Sequence, residues 1–107
     1  IEIIEPLGHT AKQTLNDLGY DNVSTRIADG YDGWPEHAPF DSIIVTAGIS
    51  HLPPPRVKLL KNGGTMVIPV GTRFQTQQLT LVKKDHSGAI TTKQILPVIF
   101  VPFTGGH

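Results

Sequence analysis

Two acidic residues of the chain follow apolar segments at positions where an α/β sheet presents ligand-binding groups. Glu2 lies in a β-branched run at residues 1–4, and Asp29 precedes Gly30 after a second apolar segment. Ligands of open α/β sheets bind at the carboxyl ends of strands, where an acidic residue accepts hydrogen bonds from ribose hydroxyls. Taken singly, each carboxylate is more typical of a surface position or an Asp-Gly turn. On adjacent strands the two would hold the ribose and adenine of one nucleoside, and Gly30 would let that ligand approach the backbone.

Other residue types that catalyse reactions or bind metals indicate no second site. Cys is absent, which excludes disulfides, thiolate metal sites and Cys nucleophiles. The five histidines form no HxxxH pair and have no carboxylate at metal-ligand spacing. Ser50 and His51 are neighbours in sequence, a poor arrangement for a nucleophile and its base, and we interpret His51 as solvated. The chain is therefore predicted to hold no metal.

The spacing of apolar residues predicts an α/β framework that would position these groups. Apolar residues at helical spacing predict a helix over residues 7–18 that ends at Gly19, and a second helix follows the prolines at 53–55 and includes Leu60. Predicted strands cover residues 1–4, 22–27, 42–47 and 66–71. Residues 78–84 and 90–103 then read as an antiparallel hairpin around the turn at 85–88. This order is typical of an open α/β sheet.

Length and charge restrict the possible functions. The 107 residues suffice for one domain, and nine Lys and Arg balance nine Asp and Glu. A formal charge of zero argues against nucleic-acid binding by bulk electrostatics. No apolar run approaches the roughly 20 residues that a membrane helix needs. We therefore expect neither a nucleic acid nor a membrane as partner.

Four segments together resemble the protein-L-isoaspartate O-methyltransferases. They are residues 28–34 (ADGYDGW), 38–47 (APFDSIIVTA), 60–71 (LKNGGTMVIPVG) and 98–104 (VIFVPFT). They follow in the order and at the spacing of that family, and their combination is more specific than the LKxGG turn that many class I methyltransferases share. The resemblance implies a Rossmann-like class I S-adenosylmethionine-dependent methyltransferase fold, truncated at the N-terminus, with a C-terminal antiparallel hairpin. Residues 1–107 would be the C-terminal portion of a single domain.

The resemblance also implies a function. The family transfers a methyl group from S-adenosyl-L-methionine to the free carboxylate of isoaspartyl residues in damaged proteins, and the ester then cyclises to a succinimide that can reopen to aspartate. The resemblance further implies that isoaspartyl peptides and proteins are the partners, that the protein is cytoplasmic, and that the full-length protein is a monomer. By residue match, Glu2 would hold the ribose hydroxyls, and the adenine end would contact Asp29 and Gly30. The remaining positions implied are Thr104 near the cofactor, and Val101 and Pro102 along the path of the acceptor peptide.

The chain departs from the family pattern at both its turn and its start. Asn62 stands where the family usually has Pro, which removes some rigidity from a turn. The family's glycine-rich loop and its active-site Ser or Thr precede the position of Ile1, so no catalytic residue can be assigned here. Because the chain starts at Ile1 inside a predicted strand and its only Met is Met66, we expect a piece of a longer protein.

The family fold predicts a physical consequence of this start. It places a central strand between those of Ile1 and Ile44, and without that strand both neighbours would have unpaired backbone groups. Each such buried group costs about 1–3 kcal/mol. We expect the isolated chain to be unstable or to aggregate, and to bind cofactor weakly or not at all.

Three other interpretations stay open at the level of sequence. The first is another class I methyltransferase with a small-molecule acceptor, against which the segment 98–104 argues. The second is a fragment of a nicotinamide-dependent oxidoreductase, which the terminal hairpin and the pair Asp29-Gly30 fit poorly. The third is a non-catalytic interaction domain that has kept the fold.

Overall fold

A mixed four-stranded sheet organises the protein. The computed structural model describes residues 1–72 and 75–104. The helices and strands of the described residues are α1 (Glu5–Asp17), β1 (Phe40–Ile44), α2 (Pro54–Leu59), β2 (Leu60–Val70), β3 (Gln77–Lys84) and β4 (Ile90–Val98). The strand order is β1-β2-β3-β4, so β1 and β4 form the two edges of this sheet.

The sheet changes from parallel to antiparallel pairing at β2. β1 and β2 run parallel, with Ile43 opposite Met66 and Ile44 opposite Val67. β2, β3 and β4 then form an antiparallel meander. The parallel pair followed by an antiparallel hairpin confirms the α/β fold and the hairpin predicted from the sequence.

Local sequence signals account for the bounds of α1. Pro6 lies in its first turn, where the missing N–H has no intrahelical partner to lose. At the other end, Gly19 adopts a φ of 80°, and the amides of Gly19 and Tyr20 donate to the carbonyls of Asn16 and Leu15. This pair of bonds is a Schellman motif, which needs glycine at the left-handed position. Neither helix of the described residues has the length and apolarity required to cross a membrane.

The hydrophobic core lies on β2 and the chain segments that pack against it. Its buried members are Val45, Ile49, Leu60, Met66, Ile68 and Val82. α1 contributes little, since Gly8 is its buried residue and a Cβ there would lie 2.5 Å from Ile27 Cγ1. The core therefore holds the parallel pair and the hairpin together, while α1 packs against Ile27, outside the four-stranded sheet.

Two predicted strands are reduced to a single bridge. Residues 1–4 and 22–27 are joined by the parallel pair Glu2 and Ile27. Two backbone hydrogen bonds form this bridge, from Glu2 to the Arg26 carbonyl and from Ala28 to the Glu2 carbonyl, each 3.0 Å long. The prediction of full strands is wrong. A strand needs a partner that continues its hydrogen bonds along several residues, and here the pairing is limited to the single bridge between Glu2 and Ile27.

Two further boundaries differ from the sequence prediction. β2 begins at Leu60, directly after α2, whereas the sequence predicts a helix that includes Leu60 and a strand over residues 66–71. β4 ends at Val98, although the apolar run predicts a strand to residue 103. After Val98 the chain leaves β3 and pairs with Gly48 through Pro102, so tertiary contacts replace the end of the predicted strand.

Candidate functional site

A cavity of about 780 Å³ lies beside β1, on the edge that β2 does not occupy. Six consecutive residues, 42–47, line it. Since successive strand residues point to opposite faces, lining by all six places the cavity along the strand edge. Residues 1–4 form the opposite wall and residues 101–104 close one side. The resemblance to the family fold places a further strand between residues 1–4 and β1, so a ligand would occupy the part of this space near Asp29, Gly30 and residues 101–104.

The two carboxylates singled out by sequence both line this cavity. The bridge between Glu2 and Ile27 fixes their relative position, since Asp29 lies two residues beyond Ile27. Glu2 Oε2 accepts a hydrogen bond of 3.0 Å from the amide of Ile3. Asp29 caps the short 3₁₀ helix Gly30–Asp32, and its Oδ1 accepts from the Tyr31 amide at 2.9 Å. A carboxylate has about four acceptor positions, so each can accept further bonds from a ligand.

Gly30 forms part of the cavity wall next to a buried arginine. A Cβ at Gly30 would be in ordinary van der Waals contact with Arg56, Ile1 and Phe103, at 3.7–3.8 Å, so these three residues surround the glycine. Arg56 Nε donates to the Gly30 carbonyl at 2.7 Å, and its guanidinium carbon lies 4.5 Å from the centre of the Phe103 ring. Burial lowers the pKa of Arg56 below its usual value, and the charge of Asp29 opposes this effect. Arg56 thereby ties the Asp29–Gly30 turn to the C-terminal segment.

Val101, Pro102 and Thr104 line the same cavity from the C-terminal segment. The amide of Gly48 donates to the Val101 carbonyl at 2.7 Å, and the amide of Phe103 donates to the Gly48 carbonyl at 3.0 Å. These two bonds hold the segment parallel to the chain beyond β1. The structure thus brings all six sequence-predicted site residues to one cavity.

The structure brings Ser50 and His51 together, contrary to expectation. Ser50 Oγ lies 3.1 Å from His51 Nδ1, and His51 Nε2 lies 3.1 Å from the Tyr31 hydroxyl. All three groups lie outside the residues that line the large cavity. His51 is exposed, in agreement with the sequence interpretation. Its contact with the Tyr31 hydroxyl also connects the loop after β1 to the segment that contains Tyr31. Its place outside the cavity gives it no part in the site.

Sequence reasoning missed two buried polar residues. Arg56 is 4% exposed, and its Nη1 has no hydrogen-bond partner among the described residues. Gln77 is 2% exposed. Arginine and glutamine are usually exposed, and their burial depends on segments more than 20 residues away. Within residues 1–72 and 75–104, no three His, Asp or Glu side chains are grouped as a metal site requires; His107 lies outside the described residues.

Curated proteins that are named for one activity are similar in sequence to this chain. The protein-L-isoaspartate O-methyltransferase 2 of a Polaromonas species is 63% identical over 105 residues, which cover 98% of this chain and 50% of that protein. The protein-L-isoaspartate O-methyltransferase 1 of Nitrosospira multiformis is 64% identical over all 107 residues and 45% of its own length. The chain therefore spans about half the length of the curated relatives it matches.

Two solved structures and a family model that match this chain carry the same protein-L-isoaspartate O-methyltransferase description. One protein-L-isoaspartate O-methyltransferase structure superposes with a TM-score of 0.85 at 31% identity, covering 94% of this chain and 32% of that one. A Plasmodium falciparum structure of the same description, in complex with S-adenosyl-L-homocysteine, gives 0.78 at 26% identity, covering 96% and 50%. The family model for protein-L-isoaspartate(D-aspartate) O-methyltransferase matches residues 1–107. The chain belongs to the protein-L-isoaspartate(D-aspartate) O-methyltransferase family.

Proposed function

We propose that residues 1–107 form the C-terminal portion of a methyltransferase domain that methylates isoaspartyl residues of damaged proteins. The observation that carries this proposal is that one cavity collects both acidic residues and the C-terminal segment in a chain of this family. The two acidic residues, Gly30 and Thr104 would serve the methyl donor, and Val101 and Pro102 would serve the peptide. Both ligands would then meet at the part of the cavity that Asp29, Gly30 and residues 101–104 line.

The residues of the cavity fit S-adenosylmethionine. Glu2 offers carboxylate oxygens to the ribose hydroxyls, and Asp29 offers them to the amino group of adenine. Gly30 lines the cavity without a side chain, which would let the flat base approach the backbone. When bound, S-adenosylmethionine supplies a methyl group made electrophilic by the positive sulfur. The ribose hydroxyls and the adenine amino group are hydrogen-bond donors, and the negatively charged carboxylates of the cavity are strong acceptors for them.

The acceptor chemistry requires little from the protein beyond alignment. An isoaspartyl carboxylate has an ordinary pKa of about 3.9 and is ionised at neutral pH. Its oxygen forms a bond to the methyl carbon while the sulfur–carbon bond breaks and the sulfur keeps the electron pair, so no proton moves. A base is not needed for this displacement. Val101 and Pro102 would line the path of the peptide and hold its carboxylate in line with the methyl group.

The test is methyl transfer by the complete protein that carries this chain. Purified protein is incubated with S-adenosylmethionine and either an isoaspartyl peptide or the same peptide with normal aspartate. We expect a methyl ester on the isoaspartyl peptide alone, detected by mass spectrometry, with one S-adenosylhomocysteine formed per ester. Transfer to a small-molecule carboxylate but not to the peptide would favour another class I methyltransferase, and no transfer to any acceptor would contradict the proposal.

A further inference from the structure

The C-terminal segment reaches the cavity through a side-chain contact that lies outside it. Beyond β4 the chain could continue beside β3, yet it turns away and runs past Gly48. At this turn, Gln77 Oε1 accepts a hydrogen bond of 2.7 Å from the amide of Phe100. Gln77 Nε2 lies 3.4 Å from the carbonyl of the same residue. One glutamine side chain therefore replaces the backbone partner that Phe100 loses where β4 ends.

Burial makes this contact a fixed attachment point. Gln77 is 2% exposed, so water cannot easily substitute for either of its bonds. Gly48 gives it the necessary space, because a Cβ at Gly48 would lie 2.8 Å from Gln77 Nε2 and 2.9 Å from its Cδ. Gly48 also bonds to Val101 and Phe103 on the next stretch of the segment. We name these contacts of Gln77 and Gly48 with residues 100–103 the latch.

The contacts that Gln77 makes in the latch lie next to the peptide side of the site, while Phe103 at its far end packs against Arg56 and Gly30. Val101 and Pro102 follow Phe100 directly and line the cavity, whereas Gln77 itself does not. Glu2 and Asp29 have local bonds of their own, namely the bridge between Glu2 and Ile27 and the bond from the Tyr31 amide to Asp29. Loosening the latch at Phe100 is therefore expected to displace Val101 and Pro102 more than the two carboxylates.

We propose that Gln77 is a positioning residue that sets the affinity for the acceptor peptide by fixing residues 100–103. This inference rests on the proposed function, since it assigns Val101 and Pro102 to the acceptor. It adds a residue that does not line the cavity and a distinct effect: loss of the Gln77 side chain raises the peptide KM much more than the KM for S-adenosylmethionine.

Steady-state kinetics of the complete protein test the proposal. For Gln77→Leu we expect the KM for an isoaspartyl peptide to rise about tenfold or more, because misplacing a positioning segment by about 1 Å has effects of this order. The KM for S-adenosylmethionine should stay within about twofold, as for a change that leaves its contacts intact. Gln94→Leu, on exposed β4, is the matched control and should change neither constant. Gln77→Glu keeps the acceptor for Phe100 and should lie between wild type and Gln77→Leu.

A second variant reaches the latch from the other side and covers the case in which Gln77→Leu does not fold. Gly48→Ala places a methyl group against Gln77 Nε2 and should raise the peptide KM in the same selective way. Hydrogen exchange gives a readout independent of activity: the Phe100 amide should exchange faster in Gln77→Leu, while amides between β2 and β3 stay protected.

Specific outcomes would overturn the inference. Equal rises in both KM values, an unchanged peptide KM, or unaltered exchange at Phe100 would each do so. A wild-type protein that methylates no peptide would instead overturn the proposed function, and with it the assignment of residues 100–103 to the acceptor. Exchange at Phe100 would then still report whether Gln77 fixes the segment, so the two failures are distinguishable.

Discussion

Glu2 lines the cavity, and two backbone hydrogen bonds hold its main chain in place. Its carboxylate accepts one hydrogen bond from the neighbouring Ile3 amide. Asp29 uses an oxygen in the same way, on the amide of Tyr31. These local bonds orient the carboxylates before any ligand arrives, which reduces the ordering needed for binding. A carboxylate has about four acceptor positions, so a local bond does not prevent it from accepting donors of a nucleoside.

Exchanging Glu2 for glutamine tests its role at the residue scale. Glu2→Gln keeps the shape but replaces a charged acceptor, and a hydrogen bond to a charged group contributes about 1.5–3 kcal/mol. We expect the Kd of the complete protein for S-adenosylhomocysteine to rise about 10- to 150-fold. Glu5→Gln, an exposed carboxylate on α1 outside the cavity, is the control. Titration calorimetry measures both, and equal affinities for wild type and Glu2→Gln would contradict the assignment.

The residue types that line the cavity differ in how far sequence could predict them. The proximity of Glu2 and Asp29 follows from the rule that ligands bind at the ends of parallel strands, although the strands themselves are short. Arg56 gave no such signal, because a single arginine after three prolines is ordinary in an exposed helix. Its burial arises from Gly30 and Phe103, which approach it from 26 and 47 residues away in sequence.

Among the elements, the turn between β3 and β4 is specified by its own residues. Asp85 Oδ1 accepts from the Ser87 hydroxyl at 2.6 Å and from the amides of Ser87 and Ala89 at 2.8 and 2.9 Å. Gly88 adopts a φ of 90°, a conformation that glycine tolerates. Local chemistry thus fixes the register of the hairpin, which explains why the turn could be predicted.

These bonds to Asp85 predict a pH dependence of the hairpin. The hydrogen bond from Ser87, followed by that from Ala89, lowers the pKa of the Asp85 carboxyl below its usual 3.8. A lowered carboxyl pKa stabilises the folded state above the unfolded value, and this contribution is lost as pH falls through the folded value. We expect Asp85→Ala to lower the Tm of the complete protein at neutral pH and to flatten the decline of Tm below about pH 4.

A control separates this turn from general charge effects. Asp21→Ala removes an exposed carboxylate elsewhere in the chain and should leave both the Tm at neutral pH and its acid decline near those of wild type. Thermal denaturation followed by circular dichroism over a series of pH values gives the comparison. Identical curves for Asp85→Ala and wild type would show that the carboxylate does not stabilise the hairpin.

At the scale of the whole molecule, the cavity lies between residues 1–4 and the segment 42–47 that includes the end of β1. Within the described ranges 1–72 and 75–104, β1 is an edge strand that pairs with β2, and Ile44 on it is 77% exposed. Across the cavity, Ile1, Ile4 and Leu7 are about half exposed. An open strand edge beside exposed apolar side chains favours association with other chains.

This arrangement predicts poor behaviour of the 107 residues on their own. We expect the isolated chain to aggregate or to unfold readily, because the unpaired edge of β1 and the apolar walls of the cavity lack a covering segment. Binding of S-adenosylhomocysteine should be weak or undetectable by calorimetric titration. Micromolar binding by a monodisperse chain would show that residues 1–107 suffice for the nucleoside site.

The sequence alone determined the α/β class, α1, the parallel pair and the hairpin, because each depends on contacts within short segments or on apolar periodicity. Its family motifs also selected the six residues that the cavity brings together. Tertiary structure decided the rest: the bridge that replaces two predicted strands, the departure of the chain from β3 after Val98, and the burial of Arg56 and Gln77. The physical reason is that a polar side chain is buried only where a distant segment supplies its hydrogen-bond partners, and sequence spacing does not reveal which segment that is.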